Sequence, residues 1–413
     1  MKRNLPQSLS PLHEKEFRYF IVARFFLIMA LRMAGTVVAY ELFQITRSSF
    51  SIGLVGLSEF IPVFSLALYA GHVIDKSDKK KILVRGIFSY ALCIAGLITV
   101  TVPMIQQHFH KHLLELSFYL IIFCTGVIRA FVGPTTNAII SQLVPRNILP
   151  FAANISSSTW LIASIMGHAS SGFFIAWFGV NTTFIIIFVY SLIAAIVLSN
   201  ISSKPAVAKV NEVKAWESVK EGLRFVRTNR ILLAAISLDL FAVLFGGAVA
   251  LIPEFASKIL NVGPIGFGWL NAAIDIGSVI TIVSMTFSPM KNKQGRKLFA
   301  AVAGFGICII LFGISDFYWL SFCSLVIAGM LDGISVIVRG TVLQLSTPDE
   351  MRGRVSSVYS MFINSSNELG QFESGFTARL MGTVPSVIFG GCMTLLVVII
   401  SWFKAPNLRE FEY

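Results

Sequence analysis

Charged residues are scarce in this chain of 413 residues: Asp, Glu, Lys and Arg make up 13% of it, against about 25% in soluble globular proteins. A soluble surface cannot be built from so few charges, which excludes an ordinary soluble enzyme. Hydrophobic residues make up 55%, and Phe alone accounts for 36 residues. Apolar runs of roughly 20 residues, the length that crosses a hydrocarbon core, recur along the chain. The sequence therefore predicts a polytopic membrane protein.

Cysteine and the common catalytic motifs are also scarce or missing. The five cysteines lie in apolar stretches and form no CxxC pair, which favours small core residues over redox or metal roles. The sequence contains no GxxxxGK[ST], HExxH or GxSxG motif, so ATP hydrolysis and the commonest hydrolase chemistries are not expected. We predict no enzyme activity, no cofactor and no bound metal.

Acidic residues are fewer than basic ones, 21 against 33, and the basic residues follow a topological pattern. They concentrate around Lys79–Lys81, in a run from Lys204 to Arg230, and around Lys293–Lys297. The loops on the opposite side hold only Arg47, Lys111, Lys258 and Arg379. By the positive-inside rule, both termini and the central loop are predicted to be cytoplasmic, in a bacterial inner membrane. The partner is then the lipid bilayer and not a nucleic acid.

Twelve apolar segments can be assigned, six on each side of the central loop. They lie near 18–43, 51–74, 82–103, 116–142, 151–178, 180–199, 231–256, 264–288, 298–314, 318–345, 354–380 and 385–403. This predicts an all-α protein of 12 transmembrane helices, with six-helix bundles at 1–200 and 231–413 joined by a linker at 201–230. Lys79-Lys80-Lys81 echoes Gly295-Arg296-Lys297 between the second and third spans of each half, as a weak internal repeat. The linker contains an amphipathic stretch around Val213–Val226, either a tether or a membrane-surface or regulatory helix.

Seven ionisable residues are predicted close to the centres of their spans: Arg32, Glu59, Arg129, Asp239, Asp275, Asp332 and Glu368. Each charge there costs at least about 2.5–3.5 kcal/mol, so we expect a polar cavity at the midplane, where transporters bind substrate. Asp239 and Glu368 are the first candidates for proton coupling, because desolvation favours a protonated carboxyl group. The others are candidates for substrate binding. Structural ion pairs are the alternative role for any of these residues.

The eleventh span is unusually polar. Asn364, Glu368 and Gln371 share one helical face at i, i+4 and i+7, with Asn367 adjacent in sequence. This face is predicted to line the cavity, so Asn364, Asn367 and Gln371 join the candidate substrate-binding residues. Hydrogen bonding between helices is the alternative.

The loop after the second span is the most specific local signal. Gly71 permits close helix approach, and Asp75 ends the span where it could meet the positive N-terminus of another helix, such as the eleventh. We predict a conformational latch made of Gly71, Asp75, Lys79, Lys80, Arg352 and Arg354. The alternative is a generic basic loop that serves only topology.

At this loop the chain resembles the major facilitator superfamily, whose signature between spans 2 and 3 is G-x-L-x-D-R-x-G-R-K/R. Gly71 and Asp75 match it, whereas Asp78 replaces the second glycine. Arg129 to Gly133 resembles the fourth-span R-x-x-x-G motif. Residues 17–25 and 347–355 are similar to the bacterial drug and siderophore exporter branch, which includes the enterobactin exporter and macrolide efflux proteins. The resemblance implies an inner-membrane exporter driven by protons.

These observations together predict a secondary active transporter, by default a monomer, that exports an amphiphilic small molecule of siderophore or drug type in exchange for protons. The acidic excess of the second half would also suit a divalent metal exporter. A lysophospholipid flippase, or a receptor or scaffold that does not transport, remains an alternative at this stage.

Overall fold

The computed structural model describes residues 7–205, 215–288, 290 and 292–412, and this part of the chain is helical and contains no strand. The helices are α1 Lys15–Thr46, α2 Ser49–Lys76, α3 Lys79–Val100, α4 Pro103–His108, α5 Lys111–Ile139, α6 Leu149–Ser199, α7 Ala215–Thr228, α8 Arg230–Gly246, α9 Ile252–Glu254, α10 Pro264–Phe287, α11 Gln294–Ile314, α12 Tyr318–Leu345, α13 Arg352–Met381, α14 Thr383–Lys404 and α15 Pro406–Arg409.

The twelve predicted spans are accounted for. Ten helical segments of the described residues are long and apolar enough to cross a membrane. One of them contains α6, which spans 51 residues and breaks at Gly179. The φ of 77° there lies in the region that favours glycine, so α6 supplies two spans. Helix α13 has 30 residues and is excluded from the ten only by its polar side chains. The all-α, 12-helix membrane fold is thereby confirmed.

The chain divides into two compact units. The first contains residues 1–41 and 61–212, and the second contains residues 42–60 and 213–413. Phe17, Phe20 and Leu83 are among the buried residues that form the core of the first unit. In the second unit the corresponding core includes Leu232 and Phe299. The end of α1 and the start of α2 thus belong with the second unit.

Each unit closes its predicted cytoplasmic loop with an equivalent hydrogen bond. The backbone N–H of Lys79, at the start of α3, donates to the carbonyl oxygen of Lys204 at 3.0 Å. In the second unit, the N–H of Gly295 donates to the carbonyl oxygen of Phe411, also at 3.0 Å. A Cβ at Gly295 would lie 1.9 Å from the carbonyl oxygen of Leu408, so this contact requires glycine. These two loops contain the segments Lys79–Lys81 and Gly295–Lys297, which form the weak internal repeat of the sequence.

Asp78, the departure from the superfamily signature, has a structural role. Its carboxylate caps α3 by accepting from the N–H groups of Lys80 and Lys81, and it also accepts from the Ser203 hydroxyl and the Lys204 N–H. Burial works to raise the pKa of Asp78, but these hydrogen bonds outweigh it and hold the pKa below its ordinary value. Asp78 therefore anchors the chain that leaves α6.

The amphipathic stretch of the linker forms α7 from Ala215 onward, whereas Val213 and Lys214 lie outside the described residues. One face of α7 packs on α13: a Cβ at Gly222 would lie 2.9 Å from the carbonyl oxygen of Arg354. Arg354 forms an ion pair with Glu221 at 2.7 Å. The opposite face exposes Leu223 beside Arg224 and Arg227.

Candidate functional site

A buried cluster of charges lies in the second unit. The guanidinium of Arg339 on α12 forms an ion pair with the carboxylate of Asp239 on α8, and its Nη2 lies 3.7 Å from Oδ1 of Asp332. Asp239 is 5% exposed and Arg339 is 3% exposed, whereas a third of the Asp332 side chain is accessible. One arginine thus serves two carboxylates, of which one is tightly paired and the other is looser.

Helix geometry and small residues explain how these charges meet. Asp332 and Arg339 are seven residues apart, close to two helical turns, and so share a face of α12. The Arg339 Nε donates to the Ser335 carbonyl oxygen on that face at 3.2 Å. Helix α10 approaches α12 so closely that a Cβ at Gly277 would lie 2.0 Å from the Val326 carbonyl oxygen. This contact brings Asp275 into electrostatic interaction with Asp332.

The cluster therefore carries an excess of negative charge. The cluster contains three carboxyl groups, of Asp239, Asp275 and Asp332, and one guanidinium, of Arg339. Tyr359 on α13 interacts electrostatically with Arg339 and Asp332. A cavity beside Asp239, Ser335 and Asp332 has room for about one water molecule. Buried charges of one sign repel strongly at low dielectric constant, so a proton or a cation entering this cluster is stabilised there.

The first unit holds a second polar group around α1 and α6. The guanidinium of Arg32 lies over the ring of Trp160, with 4.7 Å from Cζ to the ring centroid. One turn further along α1, the hydroxyl of Thr36 and Nδ1 of His168 are hydrogen-bonded at 2.7 Å. A Cβ at Gly167 would lie 2.8 Å from the Arg32 Cβ, so this glycine lets the two helices meet. The stacked pair presents a cation held on an indole ring.

Within the second unit, the first half of α2 packs tightly on α13. A Cβ at Gly375 would lie 2.8 Å from the Ser49 carbonyl oxygen and 2.9 Å from the Gly53 Cα. A Cβ at Gly56 would lie 2.8 Å from the carbonyl oxygen of Glu368, whose side chain is buried. Part of the polar face of α13 thus serves helix packing, and its role in lining a cavity stays a prediction.

The structure distributes the predicted site residues over both units. Of the candidates for substrate binding, Arg32 and Arg129 lie in the first unit and Glu59, Asp275, Asp332, Asn364, Asn367 and Gln371 lie in the second. Asn364 and Asn367 are exposed on α13, and Gln371 is half-buried. Of the proton-coupling candidates, Asp239 belongs to the charge cluster, and Glu368 lies three residues before Gln371 on α13. Arg129 is half-buried in α5.

The predicted latch residues also fall in both units, so the latch stays a prediction. Lys79 is buried and Lys80 donates its N–H to Asp78. Arg352 pairs with Asp349 at 2.5 Å, three residues away on the same segment. Gly71 has open space where a Cβ would lie, so the structure gives no steric reason for glycine at that position.

Arg339 and Trp160 are functional candidates that sequence reasoning missed. Arg339 lies six residues before the end of its predicted span at 318–345, outside the group near the span centres. The available signal was its spacing of seven from Asp332, which places both on one face. For Trp160 the sequence offers only an aromatic residue in an apolar run, which does not separate a binding role from packing.

Comparison with known proteins places these features in context. The sequence profile of the family described as "Transmembrane secretion effector" matches residues 6–413. The chain is 24% identical over 402 residues to the Enterobactin exporter EntS of Shigella flexneri, covering 96% of this chain and 93% of that protein. It is 23% identical, with the same coverage, to the Enterobactin exporter EntS of Escherichia coli O1:K1 / APEC.

Solved structures of transporters share the fold. The nucleoside transporter NupG matches with a TM-score of 0.72 at 14% identity, over 96% of this chain and 100% of that one. A D-xylose-proton symporter matches with a TM-score of 0.74 at 12% identity, over 96% of this chain and 99% of that one.

Proposed function

The chain belongs to the transmembrane secretion effector family of the major facilitator superfamily, and from that premise we propose that this membrane transporter is a proton-coupled exporter. Its cargo in this proposal is an amphiphilic small molecule of siderophore or drug type. The observation that carries the proposal is the cluster of Asp239, Asp275, Asp332 and Arg339, in which Asp239 and Arg339 are buried.

Proton coupling follows from the way the cluster shares one arginine. With Asp239 paired to Arg339, the looser carboxylate of Asp332 faces the like charge of Asp275. A proton on Asp332 removes this repulsion and leaves the ion pair in place. When Asp332 loses that proton, its carboxylate again competes with Asp239 for the guanidinium of Arg339. We therefore assign the exchangeable proton to Asp332, with Asp239 holding the arginine.

The cargo is assigned from the relatives and from the first unit. The matched relatives are named as exporters of enterobactin, which supports a siderophore-like cargo. Arg32 stacked on Trp160 offers a cation with an aromatic face, and such a pair suits an aromatic molecule that carries negative charge. Arg32 is thus the proposed contact for the cargo.

Orientation and assembly complete the proposal. The excess of Lys and Arg on one side supports a cytoplasmic location for both termini and α7, and the exporters named among the relatives support a bacterial inner membrane. The transporter acts as a monomer by alternating access, with protons and the small molecule as its exchanged partners.

The test is uptake into vesicles reconstituted with the full chain, with acidic lumen and enterobactin or an anionic aromatic dye outside. The protein is expected to accumulate at least one of these compounds when the pH gradient is present. Asp332→Asn is expected to abolish accumulation while exchange of labelled for unlabelled compound continues. Asp316→Asn, an exposed acid outside the cluster, is the matched control and behaves as the unmodified chain.

Undiminished accumulation by Asp332→Asn would overturn the assignment of the proton. Movement of lysophospholipid between leaflets, with no accumulation of either compound, would overturn the proposed cargo in favour of a lipid.

A further inference from the structure

A polar cavity of about 200 Å³ lies in the second unit, at the predicted extracytoplasmic ends of its helices, and none of the charge-cluster residues lines it. It is lined by the α1–α2 turn, the end of α13 and the start of α14. One water molecule needs roughly 10–15 Å³ on the same measure, so this cavity can hold a group of several atoms. The polar lining comes mainly from Arg47, Ser48, Ser49, Arg379 and Thr383.

Positive charge converges on this cavity. The predicted extracytoplasmic loops hold only four basic residues, and Arg47 and Arg379 line the cavity while Lys258 lies beside it. The guanidinium of Arg379 rests on the ring of Phe50, with 4.8 Å from Cζ to the centroid. Across the residues that the structure describes, neither Arg47 nor Arg379 forms an ion pair with a carboxylate. Both guanidinium groups can therefore receive an anion.

The one carboxylate that lines the cavity, Glu254, is already neutralised. Its oxygens accept hydrogen bonds from the hydroxyls of Ser49 and Thr383 and from Nζ of Lys258, the last at 2.9 Å. Because Lys258 balances Glu254, the cavity keeps the two positive charges of its arginines. Glu254 also ties the start of α2 to the start of α14 and so shapes the cavity wall.

Two helix N-termini face the same space. Helix α2 begins at Ser49 and α14 at Thr383, and both residues line the cavity. The first N–H groups of a helix have no partner within the helix, and they attract anions together with the helix dipole. Helix ends of this kind complement the two guanidinium groups, which match the geometry of a phosphate oxyanion.

We propose that this cavity binds a phosphate group, and that its source is the headgroup of an anionic phospholipid in the adjacent leaflet. The lipid source is favoured because apolar side chains surround Arg379: Phe376 is 44% exposed and Leu380 is 66% exposed on the surface of α13. Acyl chains contact this surface while the headgroup reaches the arginines. The site is independent of the transported cargo.

Native mass spectrometry of the full chain in detergent, titrated with phosphatidylglycerol, tests the proposal. Arg47→Gln combined with Arg379→Gln is expected to weaken one lipid-binding event by about tenfold. Lys111→Gln, an exposed basic residue on the same predicted side, is the control and keeps the binding. Arg47→Lys combined with Arg379→Lys retains the charge and is expected to lose only part of the affinity. Inorganic phosphate is the second probe, and its binding is measured as a shift in the melting temperature of the protein.

If only inorganic phosphate loses its effect in the double Gln variant, the phosphate chemistry stands and the lipid source is wrong. Equal binding of both probes to the double variant and to the unmodified chain would overturn the site. An equal loss in Lys111→Gln would overturn it as well, since general surface charge would then explain the binding. Should the double variant not fold, the two single Gln variants replace it, each expected to weaken binding roughly threefold.

Discussion

Removal of the arginine is the sharpest perturbation of the buried charge cluster. Arg339→Gln leaves Asp239 and Asp332 without their shared cation, and Asp239 is almost completely buried. Removing one partner of a buried ion pair costs about 3–5 kcal/mol, because an uncompensated charge stays in a low-dielectric interior. We expect the melting temperature in detergent to fall by on the order of 10 °C.

A double-mutant cycle separates the pair from the loss of a side chain. Asp239→Asn alone is expected to cost less than Arg339→Gln, because Asp332 lies 3.7 Å from Arg339 and can take over as its partner. The double variant Asp239→Asn with Arg339→Gln removes both charges and should melt above Arg339→Gln alone. The expected coupling is about 0.5–3 kcal/mol. Arg146→Gln, an exposed arginine, serves as the control and should change stability by less than about 0.5 kcal/mol.

The assay is thermal unfolding of the purified variants at one pH and one detergent concentration. A melting temperature of Arg339→Gln within about 2 °C of the unmodified chain would refute the reasoning. So would strict additivity of the two single substitutions, since the two charges would then not interact.

Three further predictions follow from other contacts. Gly375→Ala should reduce transport strongly, because the added Cβ would lie 2.8 Å from the Ser49 carbonyl oxygen. The control Gly263→Ala has open space for its Cβ and should leave transport unchanged. Vesicle uptake measures the transport of both variants. Asp78→Ala should lower stability by about 0.5–2 kcal/mol through the lost helix cap. Since the folded pKa of Asp78 is lowered, its contribution is complete above the ordinary Asp range and is lost as pH falls through the folded value. The melting difference should thus be constant from about pH 5 to 8 and shrink below about pH 4; a difference that grows in acid would contradict it. Trp160→Leu should raise the transport KM by about 2- to 30-fold through the lost contact with Arg32, and Trp160→Phe by less; an equal KM for all three proteins would contradict it.

Eleven of the twelve spans could be predicted from their hydrophobic length, because a segment of roughly 20 apolar residues crosses a bilayer. Even the boundary at Gly179 coincides with the break in α6. The polar eleventh span, predicted at 354–380, lies within α13.

The pairings within the site could not be predicted, because they depend on which helices become neighbours. The close approach of α10 and α12 at Gly277 and Gly329 decides that Asp275 interacts with Asp332. The sequence shows glycines in both spans but not which helices they join. Asp78 is a similar case: its role depends on Ser203 and Lys204, which lie more than a hundred residues further along the chain.

The most direct test of proton-coupled export compares small molecules, by mass spectrometry, in the medium and cytosol of two cultures. One culture carries the intact protein and the other carries Asp239→Asn with Asp332→Asn at the same expression level. The account predicts a metabolite that reaches the medium only with the intact protein and is retained inside cells with the variant. Identical metabolite distributions in both cultures would contradict it.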